Sequence, residues 1–251
     1  FHGIHSYGNF TTGRDYFPVS DRLSGYPDLN WPKIETIEEL QKEIDSGGIA
    51  AILVEPIQAT FGDNHLDKKF LREIASIAKL NNIPLIFDEI QTGFGTTGKP
   101  WYFQYLNIKP DIVVFGKKSQ VSGLMTTSEF FHINGNRLSV TFDGDIVDML
   151  RSIYIMKAYK EGSLPETANG LSRRFTRELR KINEINNTRC AGCLIGFDLK
   201  DREIRDSFVE NIRTNGMICN PTGENSVRLR PNLAVTSDEL EEALNIIRKS
   251  L

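Results

Sequence analysis

The pattern of apolar and polar positions divides the chain into short buried strands and amphipathic helices. Residues 49–54 form a continuous apolar run that ends at Glu55-Pro56, and residues 84–87 form a second that ends in Asp88. After Pro110-Asp111, residues 112–115 form a third, leading into Gly116-Lys117-Lys118. Apolar runs of this length, bounded by Gly, Pro or charged residues, read as buried strands. Between the first two, residues 67–81 place Phe70, Leu71, Ile74, Ile77 and Ala78 at helical spacing. Upstream, Thr36 and Glu39 have capping-box spacing and open a helix that runs to about Asp45 and stops at Gly47-Gly48. Strands alternating with helices predict an α/β fold whose mainly parallel sheet is covered on both faces.

Beyond residue 145 the rhythm changes. Residues 145–161 and 163–182 read as two long helices separated at Gly162. A strand-like stretch over 189–199, a helix over 201–214, a strand over 227–230 and a capped helix over 236–250 follow. The prediction is a smaller C-terminal α+β domain over residues 146–251, after a first domain over 1–145. The first thirty-five residues, rich in Gly, Ser, Asp, Pro and aromatics without a period, read as extended segments and loops.

Composition narrows the partners. A net charge of −3 gives no attraction to nucleic acid or to an anionic membrane, and no apolar run is long enough to span a bilayer. The N-terminus lacks the basic and apolar regions of a leader. Phe1 opens without an initiator methionine, so the chain reads as entered partway. Cys190 and Cys193 form a C-x-x-C, but residues 190–197 read as one buried strand, with no second pair and no histidine nearby. Two core thiols in a reduced, cytoplasmic protein are the expectation, with no metal site.

Ligands of open α/β sheets gather beyond the carboxyl ends of the strands, where Glu55, Asp88 and Lys117 all fall. An amine at one strand end and a carboxylate at another are what pyridoxal phosphate chemistry requires: a lysine for the aldehyde and an acid for the pyridine nitrogen. The uncharged run before Lys117 delivers the amine from a buried strand, and desolvation would raise its neutral fraction. Lys118 is its rival, and alternation along an extended chain would leave only one of the two facing the site. Asp88 would pair with the ring nitrogen, Gln91 would reach the phenolic oxygen, and Ile90 would pack on a ring face. Glu89 reads as a structural ion-pair residue. A competing reading lies alongside: residues 93–99 have the G-x-x-x-x-G-K spacing of a phosphate loop, but Pro100 stands where Ser or Thr should bind magnesium. Arg228 and Arg230 alternate with Val227 and Leu229, so one strand face carries two guanidiniums suited either to a substrate carboxylate or to solvent.

Taken together, Phe87-Asp-Glu-Ile-Gln-Thr-Gly93, Gly95, Gly98 and Pro110-Asp-Ile-Val-Val-Phe-Gly-Lys-Lys-Ser-Gln120 resemble the signature of class III pyridoxal-phosphate aminotransferases. The wording of Phe115-Gly-Lys-Lys-Ser-Gln-Val121 and Asn30-Trp-Pro-Lys33 is nearest to the lysine 6-aminotransferases, with the 4-aminobutyrate aminotransferases next. The resemblance implies a fold-type-I homodimer that uses pyridoxal 5'-phosphate to move a terminal amine, from lysine or another ω-amino acid, to 2-oxoglutarate. It makes Lys117 the Schiff-base lysine, Asp88 the pyridinium partner, and Gln91 the phenolate contact. Phe1, His2 and Gly3 match an aromatic-His-Gly segment that stacks on the ring. Thr141 matches a threonine that reaches the phosphate of the other subunit, and Arg230 an arginine for the 2-oxoglutarate carboxylate. Glu55 matches a glutamate of structural role.

The departures are Ile4, where the family has a carboxylate-binding arginine, and Ala59-Thr60-Phe61-Gly62, where it has a glutamate that screens the oxoglutarate-binding arginine. At that point Arg230 is expected to lack its acidic partner. The Gly/Ser-rich phosphate turn that family members carry upstream is also absent from these residues. The reading is therefore the C-terminal three-fifths of such an enzyme, poor at holding cofactor alone. A homologue that has lost catalysis and serves as a binding or dimerising partner is the alternative.

Overall fold

The computed structural model describes residues 31–60, 62–131 and 144–251. Their backbone groups into two compact units that interleave along the sequence. One comprises the described residues up to Pro56 with Leu66–Gln91 and Tyr102–Tyr154, the other Ile57–His65, Thr92–Trp101 and Ile155–Leu251.

The first unit is built on a four-stranded sheet. Strands β1 (Ile52–Val54), β2 (Leu85–Asp88) and β3 (Ile112–Phe115) are parallel, and β4 (Gly123–Thr126) closes the edge antiparallel to β3. The three parallel strands are those expected from the apolar runs. Helix α1 (Ile37–Ser46) carries both halves of the Thr36/Glu39 capping box and stops at Gly47, with φ 78°. Helix α2 (Lys68–Leu80) starts where the Asp67 carboxylate accepts the Lys69 and Phe70 N–H groups and buries Leu71, Ile74 and Ala78. α3 is the single turn Phe103–Leu106.

Register puts Val54, Leu85, Phe87 and Val113 on one buried face of the sheet. The opposite face carries Leu53, Ile86, Asp88 and Leu124, and among the described residues it is only partly covered. The expected double cover is thus seen on one face alone, and Asp88 lies on the other.

The second unit holds an antiparallel sheet of order β5 (Asn186–Ala191), β6 (Leu194–Asp198), β8 (Ser226–Leu229) and β7 (Asn220–Thr222). Its core gathers Phe197, Phe208, Ile195, Leu179, Ile212 and Ile247 from the sheet and three helices. Each such buried side chain contributes about 1.5–3 kcal/mol of transfer free energy. Those helices are α5 (Leu164–Leu179), α6 (Arg202–Thr214) and α7 (Ser237–Ser250), the last opened by a second capping box at Thr236 and Glu239.

Two details differ from the sequence reading. α4 (Ile146–Gly162) includes Gly162, and the break falls one residue later at Ser163, whose φ is 47°. The apolar stretch holding Cys190 and Cys193 is a hairpin, not one strand: β5 ends at Ala191, Gly192 turns with φ 57°, and β6 begins at Leu194.

Candidate active site

β2 and β3 run in the same direction with Asp88 opposite Val114, so the residues that follow leave the sheet at one edge. The Glu89 N–H donates to the Val114 carbonyl at 2.9 Å, extending this pairing one step past Asp88. The Asp88 carboxylate accepts the Ile90 N–H at 3.0 Å, which folds the chain back at the strand end. Burial pushes the Asp88 carboxyl above its ordinary value, while the Ile90 hydrogen bond and the charge of Lys117 pull it down without cancelling that effect. A further positive charge set against this carboxylate would be strongly favoured.

Lys117 opens a tight turn, Lys117–Ser119, with φ at 56°, a left-handed conformation rare for lysine and concentrated at functional sites. The turn closes through Gln120, whose N–H and side-chain amide donate to the Lys117 carbonyl at 2.9 and 3.2 Å. A Cβ at Gly116 would lie 2.8 Å from Ser122 Oγ and 3.7 Å from Ile90 Cγ2, so the missing side chain lets both close over the strand end. Because residues 117–119 turn, strand alternation is not what separates the two lysines. The turn leaves Lys117 exposed and Lys118 half-buried. The burial expected for the Lys117 amine is therefore not supplied by the described residues.

Gln91 and Ile90 are half-buried in the turn after Asp88. Glu89, expected in an ion pair, is 1% exposed and accepts the Tyr102 and Phe103 N–H groups at 2.8 Å each, at the start of α3. Glu55 is buried directly after β1. Amine, desolvated carboxylate and amide at neighbouring strand ends form a donor set that fits the ring end of pyridoxal phosphate. Phe1, His2, Gly3, Ile4 and Thr141 lie outside the described residues.

The glycine-rich loop after Gln91 has a packing role. A Cβ at Gly95 would meet Pro165 at 2.9 Å and Tyr159 at 3.1 Å, and one at Gly98 would meet Asn169 at 2.7 Å. Thr92, Thr96 and Thr97 are buried, and the Thr96 carbonyl accepts the Cys193 N–H at 2.8 Å. A loop filled on these sides by protein leaves no phosphate cradle there, and the nucleotide reading falls. The C-x-x-C divides between two apolar clusters, Cys190 against the small-sheet core and Cys193 with Ala168 and Leu233, and all three cysteines are free thiols. Burial raises the Cys190 thiol, and it raises Cys219 to about 11, so neither is a ready thiolate.

The two arginines at β8 reach Ala59 and Asp63. Arg228 Nη1 donates to the Ala59 carbonyl at 3.0 Å. Arg230 is gripped in bidentate fashion by Asp63: Nη1 donates to Oδ2 at 3.2 Å, and Nη2 donates to Oδ1. The expectation of an arginine stripped of its acid by Thr60 is thus corrected. Thr60 is exposed, and Asp63, three residues on and 0% exposed, supplies the carboxylate. Sequence reasoning missed Asp63 because it looked for the acid at a fixed offset, whereas a turn through Gly62, with φ 72°, brings the next residue round. Gly62-Asp63 in a turn was the available signal.

Comparison with known proteins agrees with this geometry. The family model described as aminotransferase class-III matches residues 6–251. An L-lysine-epsilon aminotransferase from Amycolatopsis lactamdurans is 30% identical over 287 aligned positions, covering 100% of this chain and 63% of the relative. A 4-aminobutyrate aminotransferase from Kluyveromyces lactis is 30% identical, covering 100% of this chain and 59% of the relative. The solved lysine aminotransferase from M. tuberculosis superposes with a TM-score of 0.87 at 27% identity, over 92% of this chain and 61% of that one. The chain spans about three-fifths of the length of these proteins. With the family model covering nearly the whole sequence, this chain belongs to the class III aminotransferases, a pyridoxal-phosphate-dependent family.

Proposed function

We propose that the protein transfers a terminal amino group, with L-lysine as donor and 2-oxoglutarate as acceptor. The observation that carries the reading is the placement of Lys117 and Asp88 at the ends of adjacent parallel strands, close enough for the lysine charge to act on the carboxyl. When bound, pyridoxal phosphate supplies an aldehyde that exchanges amines and a ring that draws electrons from the reacting carbon. Asp88 would hold the proton on the ring nitrogen, the role to which a desolvated carboxylate is suited. Lys117 would bind the aldehyde carbon in the resting protein and, once displaced by a substrate amine, move a proton between the substrate carbon and the cofactor C4′. Gln91 would donate to the phenolic oxygen, Ile90 would cover a ring face, and Phe1, His2 and Gly3 would line the other side.

Arg230 would take a substrate carboxylate. The same reading assigns residues 1–145 to the cofactor-binding domain and 146–251 to the small domain of a homodimer in which Thr141 reaches the partner's phosphate site. Three free thiols suit a reducing compartment such as the cytoplasm.

The assignment of Lys117 is tested by borohydride reduction of the intact protein with pyridoxal phosphate, followed by peptide mapping. The pyridoxyl group is expected on Lys117. Its appearance on Lys118, or nowhere, defeats the reading and favours a homologue that binds without catalysing. The donor is tested with lysine, ornithine and 4-aminobutyrate, since a 4-aminobutyrate aminotransferase matches at the same 30% identity as a lysine enzyme. Turnover with 4-aminobutyrate in preference to lysine would reassign the substrate.

A further inference from the structure

Residues 116–122 connect β3 to β4, whose last pair joins Phe115 to Gly123. Two adjacent lysines stand at the start of this connection, and strand alternation would send them to opposite faces of the sheet. Asp88 pairs with Val114, so Ile112 and Val114 share its face, while Val113 lies on the buried one. Extended backbone beyond Phe115 would therefore put position 118 on the Asp88 face and position 117 on the core face. The molecule does the reverse: Lys117 is the lysine whose charge acts on the Asp88 carboxyl.

A break in the strand produces the reversal. Gly116 is still extended, with φ 177° and ψ −159°. Lys117 then turns left-handed at φ 56°, and Gln120 closes the same turn at φ 62°. Left-handed residues so close together, neither of them glycine, persist only where surrounding bonds hold them. Gln120 grips the Lys117 carbonyl twice, through its main-chain N–H at 2.9 Å and its side-chain amide at 3.2 Å. Ser119, fully buried, donates from Oγ to the Val121 carbonyl at 2.5 Å and pins the other leg. A Cβ at Gly116 would lie 2.8 Å from Ser122 Oγ, so glycine lets that serine close on the strand end.

We propose that Ser119 and Gln120 lock the left-handed turn that carries Lys117 round to the Asp88 face, and so select Lys117 over Lys118 as the amine that takes the cofactor aldehyde. The inference rests on the reading above that Lys117 binds that aldehyde. Ser119 and Gln120 are positioning residues, acting on the site through the Lys117 backbone. With the lock opened, the turn relaxes toward extended backbone, which withdraws Lys117 and brings Lys118 to the face it leaves. With either lysine the nitrogen bonds to the aldehyde carbon and one water is released. The lock decides which amine reacts and leaves the reaction the same.

The test reads which lysine is labelled. The intact protein is loaded with pyridoxal phosphate, reduced with borohydride and mapped, with Gln120→Met and Ser119→Ala alongside it. Gln120→Met removes the side-chain grip at an exposed position and leaves the main-chain bond. Ser119→Ala removes the buried anchor. The unsubstituted protein is expected to carry the label on Lys117 alone. Each variant is expected to move on the order of a tenth of it to Lys118, the share that follows the loss of one hydrogen bond. Equilibrium titration gives a second readout, because pyridoxal phosphate can bond to a lysine and pyridoxamine phosphate cannot. The variants should bind the aldehyde form roughly threefold to tenfold more weakly and the amine form as the unsubstituted protein does.

Label that stays wholly on Lys117 in either folded variant, or an equal loss of affinity for the two cofactor forms, overturns the proposal. Thermal unfolding of the cofactor-free proteins identifies a general loss of fold, and Gln120→Met carries the test if Ser119→Ala does not fold. Label on Lys118 in the unsubstituted protein defeats the assignment of Lys117 and the lock together, whereas unmoved label in the variants defeats the lock alone.

Discussion

Asp88 and Asp198 are carboxylates with opposite energetics, and the sign of each follows from its neighbours. Burial pushes Asp88 above its ordinary value against the pull of Ile90 and Lys117. A carboxyl with a raised folded value is best tolerated when protonated, so its contribution is fullest below the unfolded value and is lost as pH rises through the folded one. Asp88→Asn is therefore expected to stabilise the cofactor-free protein by roughly 1 kcal/mol at neutral pH, with the gain vanishing in acid, and to weaken pyridoxal phosphate binding. Thermal unfolding between about pH 4 and about pH 7, with and without cofactor, checks both signs. Asn that destabilises the cofactor-free protein at neutral pH would mean that Lys117 outweighs burial. At Asp198, burial alone would raise the carboxyl, but hydrogen bonds from Arg189, Ser226 and Asn187 outweigh it and hold it below the ordinary range. Its contribution is present above the unfolded value and lost as pH falls through the folded one. Asp198→Asn should cost about 1–2 kcal/mol at neutral pH, and the difference from the unsubstituted protein should close in acid when the two unfolding curves are compared.

At the scale of elements, the glycine turns separate packing from conformation. Gly192 has φ 57°, and a Cβ there would lie 2.4 Å from the Thr96 carbonyl oxygen and 2.5 Å from the Thr97 carbonyl carbon, both backbone atoms with nowhere to go. Gly47 has φ 78° with open space around it. Gly192→Ala should cost roughly 3 kcal/mol or more, the sum of strain and overpacking, whereas Gly47→Ala should cost only about 1 kcal/mol for conformation. Denaturant unfolding that gave the two equal costs would mean the hairpin tip can move off the 96–97 backbone. These turns also mark the limit of what periodicity reveals. The capping box at Thr36 and the cap at Thr236 were legible because each is a local pairing of side chain with backbone a few residues away. The split at Gly192 was not, because apolar residues run on through both strands and only a contact nearly a hundred residues distant explains the glycine. β4 escaped notice for a related reason: its Leu124 and Met125 are both exposed, so the strand carries no alternation to read. The placement of Lys117, Asp88 and Arg230 at strand ends was legible. The pairing of Asp63 with Arg230 was not, since it joins residues 167 positions apart in the chain.

For the whole molecule, the surface of α4 bears on the proposed homodimer. Ile146 is 80% exposed, and Met149, Leu150, Ile153 and Tyr154 are exposed along the same helix. Scattered apolar side chains on a surface need no explanation, but a continuous run on one helix does. A second copy of the chain is the occupant that the homodimer supplies. Ile153→Glu is then expected to shift the protein from dimer to monomer in analytical ultracentrifugation. Each subunit should keep its thermal stability once the measurement is extrapolated to low concentration, because the substituted side chain already faces solvent. Cofactor retention gives the second half of the test. If Thr141 of each copy completes the other's phosphate site, pyridoxal phosphate affinity must be linked to association by mass action. The unsubstituted protein should lose cofactor on dilution through its dimer dissociation constant, and Ile153→Glu should bind it weakly at all concentrations. An Ile153→Glu protein that remained dimeric would place the interface elsewhere. A monomer that held cofactor as tightly as the dimer would remove Thr141 from the phosphate site while leaving the α4 interface in place.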